Sequence, residues 1–236
     1  MSRCVPHTSG EREGEAQRPF VVAIDGPAAS GKGTLARRLA GRFGFAHLDT
    51  GALYRATARL VLDEAGDPAD PATAAAAARR VDAQMLSDPR LRRDEVAGAA
   101  SVVAAIPEVR RTLLALQRDF AAHPPHPWRG AVLDGRDIGT VVCPAADVKL
   151  FVTASTEARA CRRVKELREQ DVAAIYENVL QDLKQRDARD SERRSAPLAV
   201  AADAEVIDTT RLDADLVFER VSDLVARTLK EKEWQQ

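Results

Sequence analysis

The chain has 236 residues, 45% of them hydrophobic and 30% charged, which suits one globular α/β domain with room for a small insert. Its 35 Lys and Arg nearly balance its 36 Asp and Glu, so no global basic field argues for wrapping nucleic acid or for attraction to an anionic membrane. Neither partner is expected. The first 19 residues lack the apolar core of a secretory signal, and no apolar run approaches bilayer length. Cys4, Cys143 and Cys161 are scattered, without a C-x-x-C pair or a histidine at metal-ligand spacing, a pattern of free thiols in a reducing compartment. We therefore expect a disordered tail over 1–19 on a cytoplasmic protein.

In chain order, Phe20 to Ile24 is a short apolar run expected of a strand buried on both faces. Gly/Pro punctuation follows, then a helix through Thr34 to Ala40 that stops at Gly44. Phe45 to Leu48 reads as a second strand and Tyr54 to Leu62 as a helix. From Asp67 to Arg93 the chain is Ala-rich and Pro-punctuated, a small helical insert that caps the sheet instead of joining it. A helix over Asp94 to Ala105 follows. Pro107 opens another, with Val109, Leu113, Leu116 and Phe120 as its apolar stripe. His123-Pro124-Pro125-His126-Pro127 is read as a rigid connector and not a metal site, since no third ligand lies near. Ala131 to Leu133 and Val148 to Val152 are two more strands. Ser155 caps a helix to Glu169, and Val172, Ile175, Val179 and Leu183 mark one face of the next. A strand over Glu205 to Ile207 precedes a C-terminal amphipathic helix from Asp213 to Lys230. Strands alternating with helices imply a parallel sheet covered on both faces, with ligands at the carboxyl ends of its strands.

The unusual residues fall at those ends. Gly26, Pro27, Ala28, Ala29, Ser30, Gly31 and Lys32 spell G-x-x-x-x-G-K between a predicted strand and a predicted helix, the context that validates a P-loop. Glycines let backbone N–H groups converge on phosphate oxygens, the helix N-terminus adds its dipole, and Lys32 reaches the β/γ-phosphates. Gly33 follows the lysine and the hydroxyl comes next, at Thr34. This GKGT ending resembles nucleoside monophosphate kinases more than GTPases, and no N-K-x-D guanine-reading motif occurs. Leu48-Asp49-Thr50-Gly51-Ala52-Leu53-Tyr54-Arg55 would place a cation over the cleft. Asp134, ending an apolar strand in Leu133-Asp134-Gly135-Arg136-Asp137, suits a carboxylate holding Mg²⁺ directly or through water, with Thr34 as a second candidate.

DGPAASGKGT, LDTGALYR, DGRDIGTVV and RDARDSER before APL, in that order, resemble the bacterial cytidylate kinases. The resemblance covers about Phe20 to Arg227, and adenylate kinases share only its first motif. It implies a doubly wound α/β fold with a parallel five-stranded sheet of order 2-3-1-4-5. A helical monophosphate-binding insert over about 64–105 and a short lid over about 186–197 complete a kinase domain spanning 20–230. It also implies MgATP as phosphoryl donor, CMP or dCMP as acceptor, and a monomer. Carried over position by position, Thr50, Tyr54 and Arg55 surround the ribose and phosphate of CMP. Ser101 and Arg110 read cytosine, and Arg136 and Asp137 contact phosphate and base. Asp190 bonds the sugar hydroxyls, with Arg186 and Arg193 on the phosphates; Lys32, Arg136, Arg186 and Arg193 form the catalytic set. Arg159 and Arg163 are weaker candidates for the ATP side, and at least one reads better as an exposed-face charge. Many members carry a longer insert with a small hairpin before Glu95-Val96-Ala97; here 81–93 are too short for it.

Cytosine offers an N4 amino donor beside N3 and O2 acceptors, so its pocket needs an acceptor and a donor, which a carboxylate or hydroxyl with an arginine supplies. A nucleoside monophosphate is mostly a dianion at neutral pH, its second pKa being about 6, so no general base is required. Catalysis would rest on positioning and charge stabilisation. Two other readings stay open: a kinase for UMP or AMP, and a nucleotide-dependent switch or nucleic-acid-associated ATPase.

Overall fold

The computed structural model describes residues 18–169, 171–193 and 195–234. The expected tail lies outside the described residues as far as residue 17, as do Cys4 and Arg194. Strand β1 (Phe20–Asp25) is buried along its whole length. Its alternate side chains go to opposite faces: Val22 and Ile24 join one apolar cluster, Val21 and Ala23 the other. That two-sided burial explains an apolar run without polar alternation. Helix α1 (Lys32–Phe43) follows, then β2 (Ala46–Asp49), α2 (Thr50–Asp63), α3 (Pro71–Ala78), α4 (Asp94–Val103), α5 (Pro107–Ala122) and β3 (Gly130–Gly135). The chain continues through β4 (Val148–Thr153), α6 (Thr156–Glu169), α7 (Tyr176–Glu192), β5 (Glu205–Asp208) and α8 (Ala214–Trp234). All paired strands are parallel, in the order β2-β3-β1-β4-β5 that the motifs implied.

One face of the sheet packs Leu35, Leu39, Val217, Val221 and Val225 from α1 and α8 against Val22, Ile24 and Val132. The other packs Leu53, Ala56, Val96, Val103, Val109 and Leu113 from α2, α4 and α5 against Val21, Ala23 and Leu133. Helix α1 ends at Gly44, whose φ of 63° is the left-handed cap conformation that favours glycine. The Ala-rich stretch forms α3, with Ala74, Ala75, Ala77 and Ala78 buried and α2 and α5 as its main neighbours. Two short 3-10 turns, Gln84–Ser87 and Pro89–Arg92, occupy the segment too short for a hairpin.

Three expectations need correction. Helix α2 begins four residues before Tyr54, because Asp49 accepts a hydrogen bond from Ala52 N at 3.2 Å and caps it. On α5, Leu116 is 43% exposed and Gln117 takes the buried position; its amide donates to Leu113 O at 3.0 Å, so the polar group goes in satisfied. Val172 and Ile175 are exposed and precede α7. Asp171, at φ 57°, turns the chain out of α6, with Val172 N bonding back to Leu167 O, so the helical face starts at Tyr176.

Candidate active site

The loop from β1 to α1 takes its shape from positions where a side chain cannot stand. Gly26 has φ 150°, and a Cβ there would lie 2.0 Å from Val152 O on the neighbouring strand. Gly31, at φ 92°, is the N-cap of α1 and offers no side-chain cap, which leaves the first N–H groups of the helix to an anion. Ala29 is held at φ 58°. Lys32 arches back so that Nζ donates to Pro27 O at 3.3 Å. Loss of water pushes its pKa down to about 7; Arg136 adds to the push, and Asp134, Asp49 and Asp190 oppose it. Ser30 is buried, its hydroxyl without a hydrogen-bond partner among the described residues.

Beside the loop, β2 ends in Asp49 and β3 carries Asp134 as its penultimate residue. Asp49 accepts from Arg55 Nη2 at 2.6 Å as well as capping α2, so one carboxylate aims the arginine and starts its helix. Burial would raise its pKa, but Arg55 holds it below the usual carboxylate range. Asp134 is 3% exposed. Its Oδ1 meets His47 Nε2 at 2.8 Å, and Oδ2 faces Gly33, 3.6 Å from where a Cβ would stand. Thr50 Oγ1 donates to Asp134 O at 2.8 Å and ties the start of α2 to this strand end. A buried carboxylate facing the P-loop, with the Thr34 hydroxyl nearby in sequence, is short of a metal cage. Among the described residues no group of three His, Cys, Asp or Glu could hold an ion alone. That donor set fits a Mg²⁺ that arrives on a triphosphate and keeps several waters.

Across the cleft, β3 runs into a tight turn over Ile138–Val142. The buried Asp25 carboxylate secures it by accepting from Ile138 N and Gly139 N, each at 2.7 Å. The turn presents Arg136 and Asp137. Asp137 is 4% exposed and forms a short ion pair with Arg110 on α5, whose guanidinium sits 5.7 Å from the centre of the Tyr54 ring. Arg193 Nη2 lies 3.5 Å from Asp137 Oδ1 and Nη1 3.8 Å from Asp190 Oδ1. Arg136 Nε donates to Asp190 Oδ2 at 2.7 Å. Burial raises the Asp190 pKa, but Arg136, Arg193 and Arg186 together bring it below the ordinary value. Two buried polar atoms on this wall, Ser101 Oγ and Arg193 Nη2, have no hydrogen-bond partner among the described residues.

The structure brings Thr50, Tyr54, Arg55, Ser101, Arg110, Asp134, Arg136, Asp137, Arg186, Asp190 and Arg193 onto one cavity of about 400 Å³. Ala28, Ala29, Lys32 and Gly33 close its P-loop side. Gly26, Pro27, Ser30, Gly31 and Thr34 do not line it. Gly26 and Gly31 shape the loop, and Thr34 is exposed, accepting from Arg37 Nη2 at 3.4 Å. Among the described residues Arg186 makes only a 3.8 Å pair, with Asp182. Neither Arg159 nor Arg163 is an exposed-face charge. Arg163 lines the cavity, paired with Asp94 and with Glu166 at 2.9 Å, and Arg159 is 4% exposed behind it. Sequence reading missed His47 and Asp25. The only signal was a polar residue within or ending an apolar strand, which does not say what it faces.

The comparisons agree with this geometry. The family model described as cytidylate kinase matches residues 22–227. A protein of Rhodospirillum rubrum named cytidylate kinase is 58% identical over 207 residues, 88% of this chain and 97% of its own. One of Paramagnetospirillum magneticum with the same name is 59% identical over 84% of this chain and 93% of its own. A crystal structure of an uncharacterized protein from Eubacterium ventriosum superposes with a TM-score of 0.51 at 13% identity, covering 88% of this chain and 98% of that one, a likeness of fold alone. With the sheet order, the P-loop and a match that runs through every element around the cavity, the chain belongs to the cytidylate kinase family.

Proposed function

We propose that this protein transfers the γ-phosphoryl group of MgATP to CMP or dCMP, giving ADP and CDP or dCDP. The buried triad of Arg110, Asp137 and Arg193, with the Ser101 hydroxyl lining the same cavity, is the observation that carries the reading. Asp137 accepts from the cytosine N4 amino group while Arg110 and Ser101 face N3 and O2. A base with the opposite donor pattern leaves buried groups unpaired and is rejected strongly. Thr50, Tyr54 and Arg55 hold the ribose and phosphate of the acceptor, and Asp190 its sugar hydroxyls. In this reading residues 64–105 are the monophosphate-binding insert and 186–197 the lid.

Chemistry requires positioning more than proton transfer. The acceptor phosphate is already mostly dianionic. Backbone N–H groups of the P-loop and Lys32 grip the β/γ-phosphates, while Arg136, Arg186 and Arg193 meet the charge that spreads over the transferring group. Asp134 and Thr34 would hold a Mg²⁺ that arrives on the triphosphate, which would supply charge neutralisation to its phosphates. Each site arginine already has an acidic partner, so phosphate oxygens replace carboxylates and the guanidinium groups are never left bare. The enzyme works as a monomer in the cytoplasm, where Cys143 and Cys161 stay free thiols.

The test is a panel of nucleoside monophosphates with MgATP, read as ADP release. CMP and dCMP should be fastest, and AMP or UMP as best substrate would overturn the assignment. Hydrolysis of ATP stimulated by a nucleic acid, without transfer to CMP, would point to the ATPase reading instead. Asp137→Asn should lose at least tenfold of the CMP:UMP preference, about 1.4 kcal/mol of discrimination. An unchanged ratio removes Asp137 from base reading.

A further inference from the structure

Outside the cavity a buried arginine ties the two banks of the cleft together. Arg159 on α6 uses its whole donor fork. Nε donates to Ala154 O at 3.0 Å, Nη2 to Thr156 Oγ1 at 2.9 Å and Asp187 Oδ2 at 2.6 Å, and Nη1 to Asp187 Oδ1 at 3.1 Å and Ala28 O at 3.2 Å. Ala28 belongs to the P-loop. Asp187 belongs to α7, between Arg186 and Asp190, which line the cavity while Arg159 and Asp187 do not. A small apolar cluster joins the same elements: Ala28, Ala160 and Leu183 are buried together, with Tyr176, Val179 and Leu180 packed on them. The phosphate-gripping loop and the helix that carries the acceptor-side charges are therefore in direct contact.

The peptide between Ala28 and Ala29 is the point where this contact can act. A trans peptide is planar, with its C=O and N–H pointing in opposite directions. Holding Ala28 O toward Arg159 thus turns Ala29 N–H away from α6 and α7. Ala29 lines the cavity and sits at φ 58°, a conformation that a non-glycine residue keeps only when its surroundings over-determine it. On the other side, the bidentate pair with Asp187 fixes the rotation of α7, and with it the directions of Arg186 and Asp190.

We propose that Arg159 and Asp187 are a positioning pair that couples the two nucleotide sites: a triphosphate seated on the P-loop favours the orientation of α7 that holds the acceptor monophosphate, and the reverse. The inference rests on the phosphoryl-transfer reading above. By linkage the same factor applies in both directions. Neither residue lines the cavity, so removing the pair acts on the coupling more than on either site alone.

Calorimetric titration of CMP, with and without a saturating non-hydrolysable ATP analogue, reads the coupling. In the wild-type protein the analogue should tighten CMP binding by about fivefold or more, the range of ordinary site coupling. Asp187→Asn, which keeps shape but removes charge, and Arg159→Lys, which keeps charge but loses the fork, should each bring that factor below about twofold. Affinity for either nucleotide alone should stay within about threefold. If the two residues act as one device, the double variant loses no more than the larger single loss. Coupling retained in both variants, additive losses, or no coupling in the wild type would each overturn the proposal. A wild-type protein that binds no CMP would instead overturn the functional reading. Should one substitution fail to fold, as its thermal transition would show, the other decides by itself.

Discussion

Lys32 shows how a single side chain can be unsuited to the empty protein and suited to its task. With its pKa pushed down to about 7, it is mostly neutral at pH 8 before a triphosphate arrives. Phosphate oxygens favour the charged form. ATP binding at pH 8 should therefore take up about 0.9 proton, and close to none at pH 6. Titrating ATP at pH 8 in buffers of different ionisation enthalpy measures that uptake. It should vanish in Lys32→Met, and uptake that persists there would assign the proton elsewhere. At this scale the legible part of the site was its identity: glycines, lysine and the DGRD turn carry their chemistry in residue type and spacing. The pairings were not legible. Nothing near His47 in sequence says that it meets Asp134, 87 positions away, and Arg159 reads as a weak ATP-side candidate or a surface charge until Asp187 comes to it from α7.

The P-loop is the element whose form depends most on an absent side chain. Gly26 combines φ 150° with a Cβ position 2.0 Å from Val152 O, and that obstacle is backbone of a central strand, which cannot step aside. Gly26→Ala should cost on the order of 3 kcal/mol or more by the combined strain and overpacking, and should abolish ATP binding. Urea denaturation and ATP titration check it; near-wild-type values for both would refute the account. Element types were well marked in the sequence, because two-sided burial leaves unbroken apolar runs in strands and 3.6-residue periodicity in helices. Where reading by period failed, a satisfied polar group had taken an apolar position, as Gln117 did beside exposed Leu116. In α7 the helical pattern was extended past a chain reversal at Asp171.

For the whole molecule, stability and function share buried charges. Desolvation raises the Asp25 pKa from 3.8 to about 6, although Gly139 N and Ile138 N hydrogen-bond it and lower it in part. The folded state therefore binds this proton more tightly than the unfolded chain. Its stabilising contribution is full below about pH 4 and is lost as pH rises to about 6, amounting to about 3 kcal/mol. Lys32 acts at the other end: its folded pKa lies below the unfolded value, so its unfavourable contribution is present below about pH 7 and fades as pH rises toward 10. Urea midpoints between pH 4 and 7 should show the stability difference between wild type and Asp25→Asn changing by up to about 3 kcal/mol; a constant difference would contradict the shift. Lys32→Met should be more stable than wild type at pH 6, on the order of 1 to 2 kcal/mol after allowing for solvent at the ammonium, while losing activity. By itself the sequence determined the order of strands and helices, the P-loop and the family, because those follow from local periodicity and from motifs whose residues are contiguous. Only the tertiary structure decided which acid neutralises which arginine, what secures the Arg136-Asp137 turn, and that the P-loop touches α7. Most of those join residues dozens of positions apart, and whether a buried charge is tolerated depends on the partner that the fold brings within hydrogen-bond reach.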